Sequence, residues 1–198
     1  MSDHKIYPET ELVKKFDYSS VFSQSDSKEV CDLVSKIILI DKNYFTNSPK
    51  YQTKENIFGR REKIWLKYRL TFLFSVFMYL GKEVKVSNMM AWSYMTSNLD
   101  PVDRNILWHH HWHPKNQNTK MMSGILYVCI PDDINDLDTC GTEIAPYGPD
   151  ERQSKHRYFI SPKLFSWYIF PSDTWHRPGI SQSDKNRFIL AADIEYLP

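Results

Sequence analysis

Four of the chain's seven histidines fall within positions 109–113, in Trp108-His-His-His-Trp-His-Pro114. Imidazole is the commonest biological metal ligand. On an extended segment residues two apart project to the same side, so His111 and His113 are placed to reach one ion. His176 lies 63 positions beyond His113, in Phe170-Pro-Ser-Asp-Thr-Trp-His-Arg-Pro-Gly179, and a distant third imidazole is what a site assembled between strands requires. Three protein ligands leave coordination positions open, as a catalytic ion needs, and imidazole donors suit Fe(II), Zn(II), Ni(II) or Cu(II). Arg187 follows eleven residues after His176, across the turn-forming stretch 179–186. On the neighbouring strand of a hairpin its planar guanidinium can grip a carboxylate at two points beside the metal. Arg177 is a rival for that role, but a strand residue next to His176 points to the opposite face. His109 and His110 read as surface residues or as supports of the ligands.

The elements that must hold these groups divide the chain in two. Residues 26–40 put Val30, Leu33, Val34, Ile37 and Ile38 on one helical face, with Ser25, Asp26 or Ser27 as N-cap. A second helix is predicted over 55–80, ended by Gly81. After Gly81 the texture changes to short β-like runs at 82–86, 90–96, 106–113, 124–130, 143–145, 158–160, 166–170, 174–175 and 187–196, broken by Pro, Gly, Asn and Asp. Such spacing suits an antiparallel sandwich or barrel. The expected organisation is one domain over 1–198, with a helical part at 1–85 and a β-rich module at 86–198 that carries the histidines. The helices either pack on the outer sheet or mediate homodimerisation.

Composition excludes several classes. Six Trp, 12 Tyr and 11 Phe argue against disorder. A formal charge of +1 offers no global attraction to nucleic acid or membrane. The basic residues Lys54, Arg60, Arg61, Lys63, Lys67 and Arg69 read as a solvated helix face, so nucleic acid is not an expected partner. Cys31, Cys129 and Cys140 lack metal-ligand spacing and read as reduced thiols. The apolar stretch 70–80 is too short to span a bilayer, and a cytoplasmic location is expected. Trp92, Trp108, Trp112 and Trp175 read as core or pocket wall.

The run His111-Trp-His113-Pro, then Ser123-Gly-Ile-Leu-Tyr-Val128 and Gly141-Thr-Glu-Ile-Ala-Pro146, continues with Ile169-Phe-Pro-Ser-Asp-Thr-Trp-His176 and Asn186-Arg-Phe-Ile-Leu-Ala-Ala-Asp-Ile194. In this order the pieces resemble the Fe(II)- and 2-oxoglutarate-dependent oxygenase superfamily over roughly residues 90–196. The resemblance is nearest to a branch of marine bacterial and phage type. It implies a mainly β fold with N-terminal helices around a double-stranded β-helix, or jelly-roll, core. It also implies Fe(II) held by His111, His113 and His176, Arg187 as anchor for the far carboxylate of 2-oxoglutarate, and a contribution from Tyr127 to the same carboxylate. No catalytic residue beyond the metal centre is implied. The implied reaction consumes O2, converts 2-oxoglutarate to succinate and CO2, and hydroxylates a small or macromolecular substrate that the sequence does not identify.

One departure stands out. Most of the superfamily presents His-x-Asp or His-x-Glu, giving two histidines and one carboxylate; this chain has His-x-His, one negative charge fewer. An alternative assignment brings in Glu143 as the carboxylate, with only one of the paired histidines bound. The departure also keeps two other readings open: a non-catalytic jelly-roll binding protein with a degenerate metal site, and a cupin-like metalloenzyme that uses no 2-oxoglutarate.

Overall fold

A computed structural model describes residues 12–44, 52–97, 107–112, 118–137, 140–150, 152 and 156–198. Among the described residues, eight strands and two α-helices occur in chain order: β1 (Lys14–Asp17), α1 (Gln24–Tyr44), α2 (Lys63–Leu80), β2 (Lys85–Thr96), β3 (Lys120–Cys129), β4 (Thr142–Ala145), β5 (Tyr158–Ile160), β6 (Ser166–Pro171), β7 (Trp175–Pro178) and β8 (Arg187–Leu197). A five-stranded sheet runs β1-β6-β3-β8-β2 and a three-stranded sheet runs β5-β4-β7. Every ladder in both is antiparallel. The chain is thus mainly β with helices near its start, as its patterning predicts.

The inner strands of the large sheet, β3, β6 and β8, are buried on both faces, and period-two alternation sorts their side chains. One face carries Met122, Leu126, Val128, Trp167, Ile169, Leu190, Ala192 and Ile194 against the helices, where Trp65, Tyr68, Phe72 and Val76 of α2 and Val30, Val34 and Ile38 of α1 complete the larger core. The other face carries Ile125, Tyr127, Tyr168, Phe170 and Ile189 against Ile144 and Ile160 of the small sheet. Specific polar contacts fix the docking of the helices. The Trp167 indole donates to Thr71 Oγ1 at 3.0 Å, and Ser27 Oγ donates to the Val128 carbonyl at 2.6 Å.

Several boundaries differ from the sequence reading, each for a tertiary or capping reason. β1 lies in the part expected to be helical, and pairs with β6 from Lys14↔Ile169 to Asp17↔Ser166. Its Lys-Lys-Phe-Asp sequence carries too little apolar pattern to announce a strand. α1 is capped by Ser23 rather than by the residues expected: Ser23 Oγ accepts from Asp26 N at 3.2 Å while Asp26 Oδ2 accepts from Ser23 N at 2.7 Å, a reciprocal box. The helix expected from residue 55 starts at Lys63, preceded by a 3₁₀ turn, Ile57–Gly59. There Asn56 accepts from Phe58 N at 3.1 Å and Ala91 N at 2.9 Å and donates to Met89 O at 3.0 Å, tying this stretch to the edge of β2. The two strands expected at 82–86 and 90–96 are one strand with a register shift between Val86 and Asn88. Residues 107–112 of the expected 106–113 strand run beside β7 through a single bridge, His109↔His176; positions 106 and 113 are outside the described residues.

Gly124 permits the close approach of α2 to the sheet. A Cβ there would sit 2.6 Å from Phe72 Cε2 and 2.8 Å from Ile169 Cδ1. Because Phe72 and Ile169 are fully buried, neither can swing away freely. Gly124→Ala is expected to lower unfolding free energy by about 1–3 kcal/mol through overpacking, measured as the shift in urea midpoint.

Candidate metal centre

The segment 107–112 passes along the free edge of β7. His109 N donates to His176 O at 3.1 Å and His176 N donates to His109 O at 2.9 Å. His111 N donates to the Ser172 carbonyl at 2.8 Å. Side chains alternate along this stretch, so His109 and His111 share a side, and they meet His176 there. The ligating atoms of the three imidazoles lie within 4.8 Å of one another. Ring centroids are 5.1 Å apart for His109–His111, 4.4 Å for His109–His176 and 4.8 Å for His111–His176.

The protein also settles which nitrogen each ring offers. His109 Nδ1 lies 3.0 Å from the Leu107 carbonyl, His176 Nδ1 lies 2.9 Å from the Thr174 carbonyl, and His111 Nδ1 lies 3.0 Å from Asp193 Oδ1. Each partner oxygen only accepts, so Nδ1 must carry the proton and a neutral ring keeps its lone pair on Nε2. Burial favours the neutral form of His109 and His176. The His176 pKa is pushed down to about 3, chiefly by burial and then by the neighbouring His109 and His111; burial also lowers that of His109. Three imidazoles whose Nδ1 atoms are held by acceptors, with Nε2 turned to a common point, fit a divalent ion of the borderline class.

Of the residues singled out from sequence, His111 and His176 are in this group. His113 lies outside the described residues, and the neighbour of His111 that joins the group is His109, read from sequence as a surface or supporting residue. The same spacing of two produced both pairings; alternation alone does not say which pair of the run faces inward. The bridge to β7 decides for His109. Glu143, the alternative carboxylate, is absent from the group. It takes the Arg177 Nε–H at 2.6 Å, and the β4–β7 register pairs Glu143 with Arg177 while Ile144 pairs with His176. Glu143 and Arg177 are therefore on the outer face, where Arg177 lies 4.6 Å from the Trp108 ring.

The histidines form one part of the wall of a pocket between the sheets. Trp92, Tyr94 and Thr96 of β2, Ile189 and Ala191 of β8, and Thr142 of β4 line it too. Its free space, the open mouth included, is about 460 Å³. Arg187 stands two residues before Ile189 on the same face of β8 and pairs in register with the pocket residue Thr96. It is fully buried. Its guanidinium donates to the carbonyls of Cys140 and, at 3.0 Å, Gly179, while Nε has no hydrogen-bond partner. Among the described residues no carboxylate pairs with it. Tyr127, also fully buried, has its hydroxyl 2.8 Å from the pocket residue Thr142; burial raises its pKa while the nearby Arg187 charge works the other way.

Compared with solved structures, the chain superposes on a non-heme monooxygenase, ThoJ, in a nickel complex, with TM-score 0.61, 11% identity, and coverage of 94% of this chain and 75% of that one. The viral collagen prolyl hydroxylase of Paramecium Bursaria Chlorella virus-1, in its 2OG complex, matches with TM-score 0.55, 12% identity and coverage of 94% and 97%. A prolyl-4-hydroxylase of Pseudomonas putida matches with TM-score 0.55, 8% identity and coverage of 92% and 91%. At such identities the likeness establishes a shared fold. The sequence matches no family model and no curated protein. Among the described residues no helix is long and apolar enough to cross a membrane.

The depressed His176 pKa has a consequence for stability. As pH falls through the ordinary imidazole value of 6.5 the unfolded chain takes up a proton that folded His176 refuses down to about 3. Stability present above pH 6.5 is therefore lost between those limits, with a slope of up to about 1.4 kcal/mol per pH unit from this group. Urea midpoints of metal-free protein at pH 7, 5.5 and 4.5 are expected to fall in that order, and His176→Gln to flatten the decline.

Proposed function

We propose that the protein is an Fe(II)- and 2-oxoglutarate-dependent dioxygenase built on a double-stranded β-helix, with the whole chain 1–198 as one domain. The observation that carries this reading is the nearness of two features, one in the pocket wall and one beside it on β8, paired in register with the lining residue Thr96. One is a group of three imidazoles whose Nδ1 atoms are hydrogen-bonded, which turns Nε2 toward a shared point. The other is a fully buried guanidinium with an unsatisfied Nε–H and, among the described residues, no carboxylate partner. A buried cation without a counter-charge is costly, and an oxo-acid would answer it with its far carboxylate while its other end reaches the metal. The solved prolyl hydroxylase in complex with 2OG supports the choice of cosubstrate through shared fold.

In this reading His109, His111 and His176 hold the iron, with His113 the sequence-based alternative. Arg187 anchors the cosubstrate, and Tyr127, through Thr142, shapes the same end of the pocket. Iron supplies the means of activating O2. One oxygen atom goes to succinate as CO2 leaves 2-oxoglutarate, and the other enters a C–H bond of the substrate as a hydroxyl. The apolar walls Trp92, Ile125, Ile189 and Ala191 limit water at the reacting centre. A cytoplasmic location and a homodimer built through the helices belong to the same proposal.

A second reading is favoured by one contact set. Arg187 donates to carbonyls beside β4 and β7, so it can serve as a clamp between the sheets in a binding protein with no cosubstrate. Anaerobic addition of Fe(II) and 2-oxoglutarate separates the two. The dioxygenase reading expects a visible metal-to-ligand charge-transfer band, weakened in Arg187→Ala, and succinate formation on admitting O2. Absence of both band and succinate from iron-loaded, folded protein would favour the clamp.

A further inference from the structure

The histidine group lacks a carboxylate, yet a buried carboxylate stands immediately behind it. Asp193 is 5% exposed, and its Oδ1 lies 3.0 Å from His111 Nδ1, on the far side of the ring from Nε2. It sits on the site-facing side of β8, in register with Ser123 of β3. Ser123 Oγ lies 2.6 Å from Asp193 Oδ1 and 2.9 Å from Ser172 Oγ. Its single hydroxyl proton goes to the carboxylate, the stronger acceptor, which leaves the Ser172 hydroxyl to donate to Ser123. The Ser172 carbonyl in turn accepts from the His111 backbone. Both the ring and the main chain of His111 are therefore held by one buried network. His109 and His176 rest on neutral backbone carbonyls instead.

The ionisable partner of Asp193 among the described residues is the His111 ring. Among the described residues no Lys or Arg pairs with it, and Arg187 lies six residues away along β8, about 20 Å at strand rise. A buried carboxylate held by one imidazole and a hydroxyl gains when further positive charge arrives near it. A divalent ion on His111 Nε2 brings that charge, conducted through a ring whose Nδ1–H is drawn toward the carboxylate. Such outer partners fix the tautomer and raise ligand basicity.

We propose that Asp193 is the positioning residue that restores to this three-histidine centre the negative charge its missing carboxylate ligand would have carried, acting through His111 and without touching the metal. The inference rests on the metal-centre reading above. It also marks His111 as the strongest donor of the three, since only its Nδ1–H meets an anion.

Metal-free wild type, D193N, D193E, S123A and H111A are titrated with Co(II) against a chromophoric chelator, with each melting temperature recorded before metal is added. D193N is expected to weaken Co(II) binding by roughly 10–100-fold, with S123A losing less and D193E recovering most of the affinity. The metal-free melting temperature of D193N stays near wild type, because the Asn carbonyl oxygen can still accept from His111 Nδ1 and Ser123 Oγ; a merely structural role would lower it. In the zinc-loaded protein the His111 Nδ1–H proton resonance moves upfield in D193N, while those of His109 and His176 stay in place. Co(II) affinity of D193N within about threefold of wild type, well short of the outer-partner effect, would overturn the proposal. So would complete loss of binding equal to that of H111A, which would make Asp193 a ligand itself. Wild type that takes up no Co(II) would instead remove the three-histidine centre, and this inference with it.

Discussion

Period-two alternation along β8 is the constraint on which the rest of the molecule depends. This strand is central, between β3 and β2, and its odd and even residues live in different chemical worlds. Phe188, Leu190, Ala192, Ile194 and Tyr196 enter the helix-side core. Arg187, Ile189, Ala191 and Asp193 face the small sheet and the pocket. A slip of one residue would drive an arginine and an aspartate into Trp65 and Phe72 and lay leucines over the histidines. The helices thus have a functional consequence without contributing a ligand: by filling one face of the sheet they fix its register.

The site is in turn built by pairing at an edge. Segment 107–112 adds to β7 through reciprocal His109 and His176 backbone bonds, and this single bridge joins imidazoles from opposite ends of the β-rich region. Acceptors fixed in the backbone and on β8 then dictate the tautomer of each ring. Burial disfavours the charged forms of His109 and His176. Arg187 and Asp193, of opposite charge, occupy the same face of the same strand, too far apart to neutralise each other. In a protein interior such separation is costly, and it is the electrostatic reason to read the pocket as a place for an ion and an acid.

Much of this was legible in the amino-acid sequence. The mainly β character, the order of most strands, the apolar face of α1 and the end of α2 at Gly81 followed from periodicity and punctuation. So did the separation of Arg177 from the site by adjacency to His176. Chemistry-bearing residues were also visible by type, since His111, His176 and Arg187 sit in segments with strand patterning. Strand β1, the Ser23 cap and the 3₁₀ turn at Ile57 were not, because their stability comes from β6, from a reciprocal side-chain bond and from Asn56 on β2.

What the sequence determined alone is therefore the inventory: which side chains can bind metal, that they lie on extended chain, and that alternate residues share a side. Only the tertiary structure decided the partners. His109 joins His111 and His176 because the backbone of residue 109 pairs with β7. Glu143 is withheld because register places it opposite Arg177, and Asp193 acquires a role because Ser123 and His111 converge on it from 70 and 82 residues away in sequence. Periodicity is a local property of the chain and can be read from it. Register between distant strands is set by the summed packing of two cores, and no local pattern contains that sum.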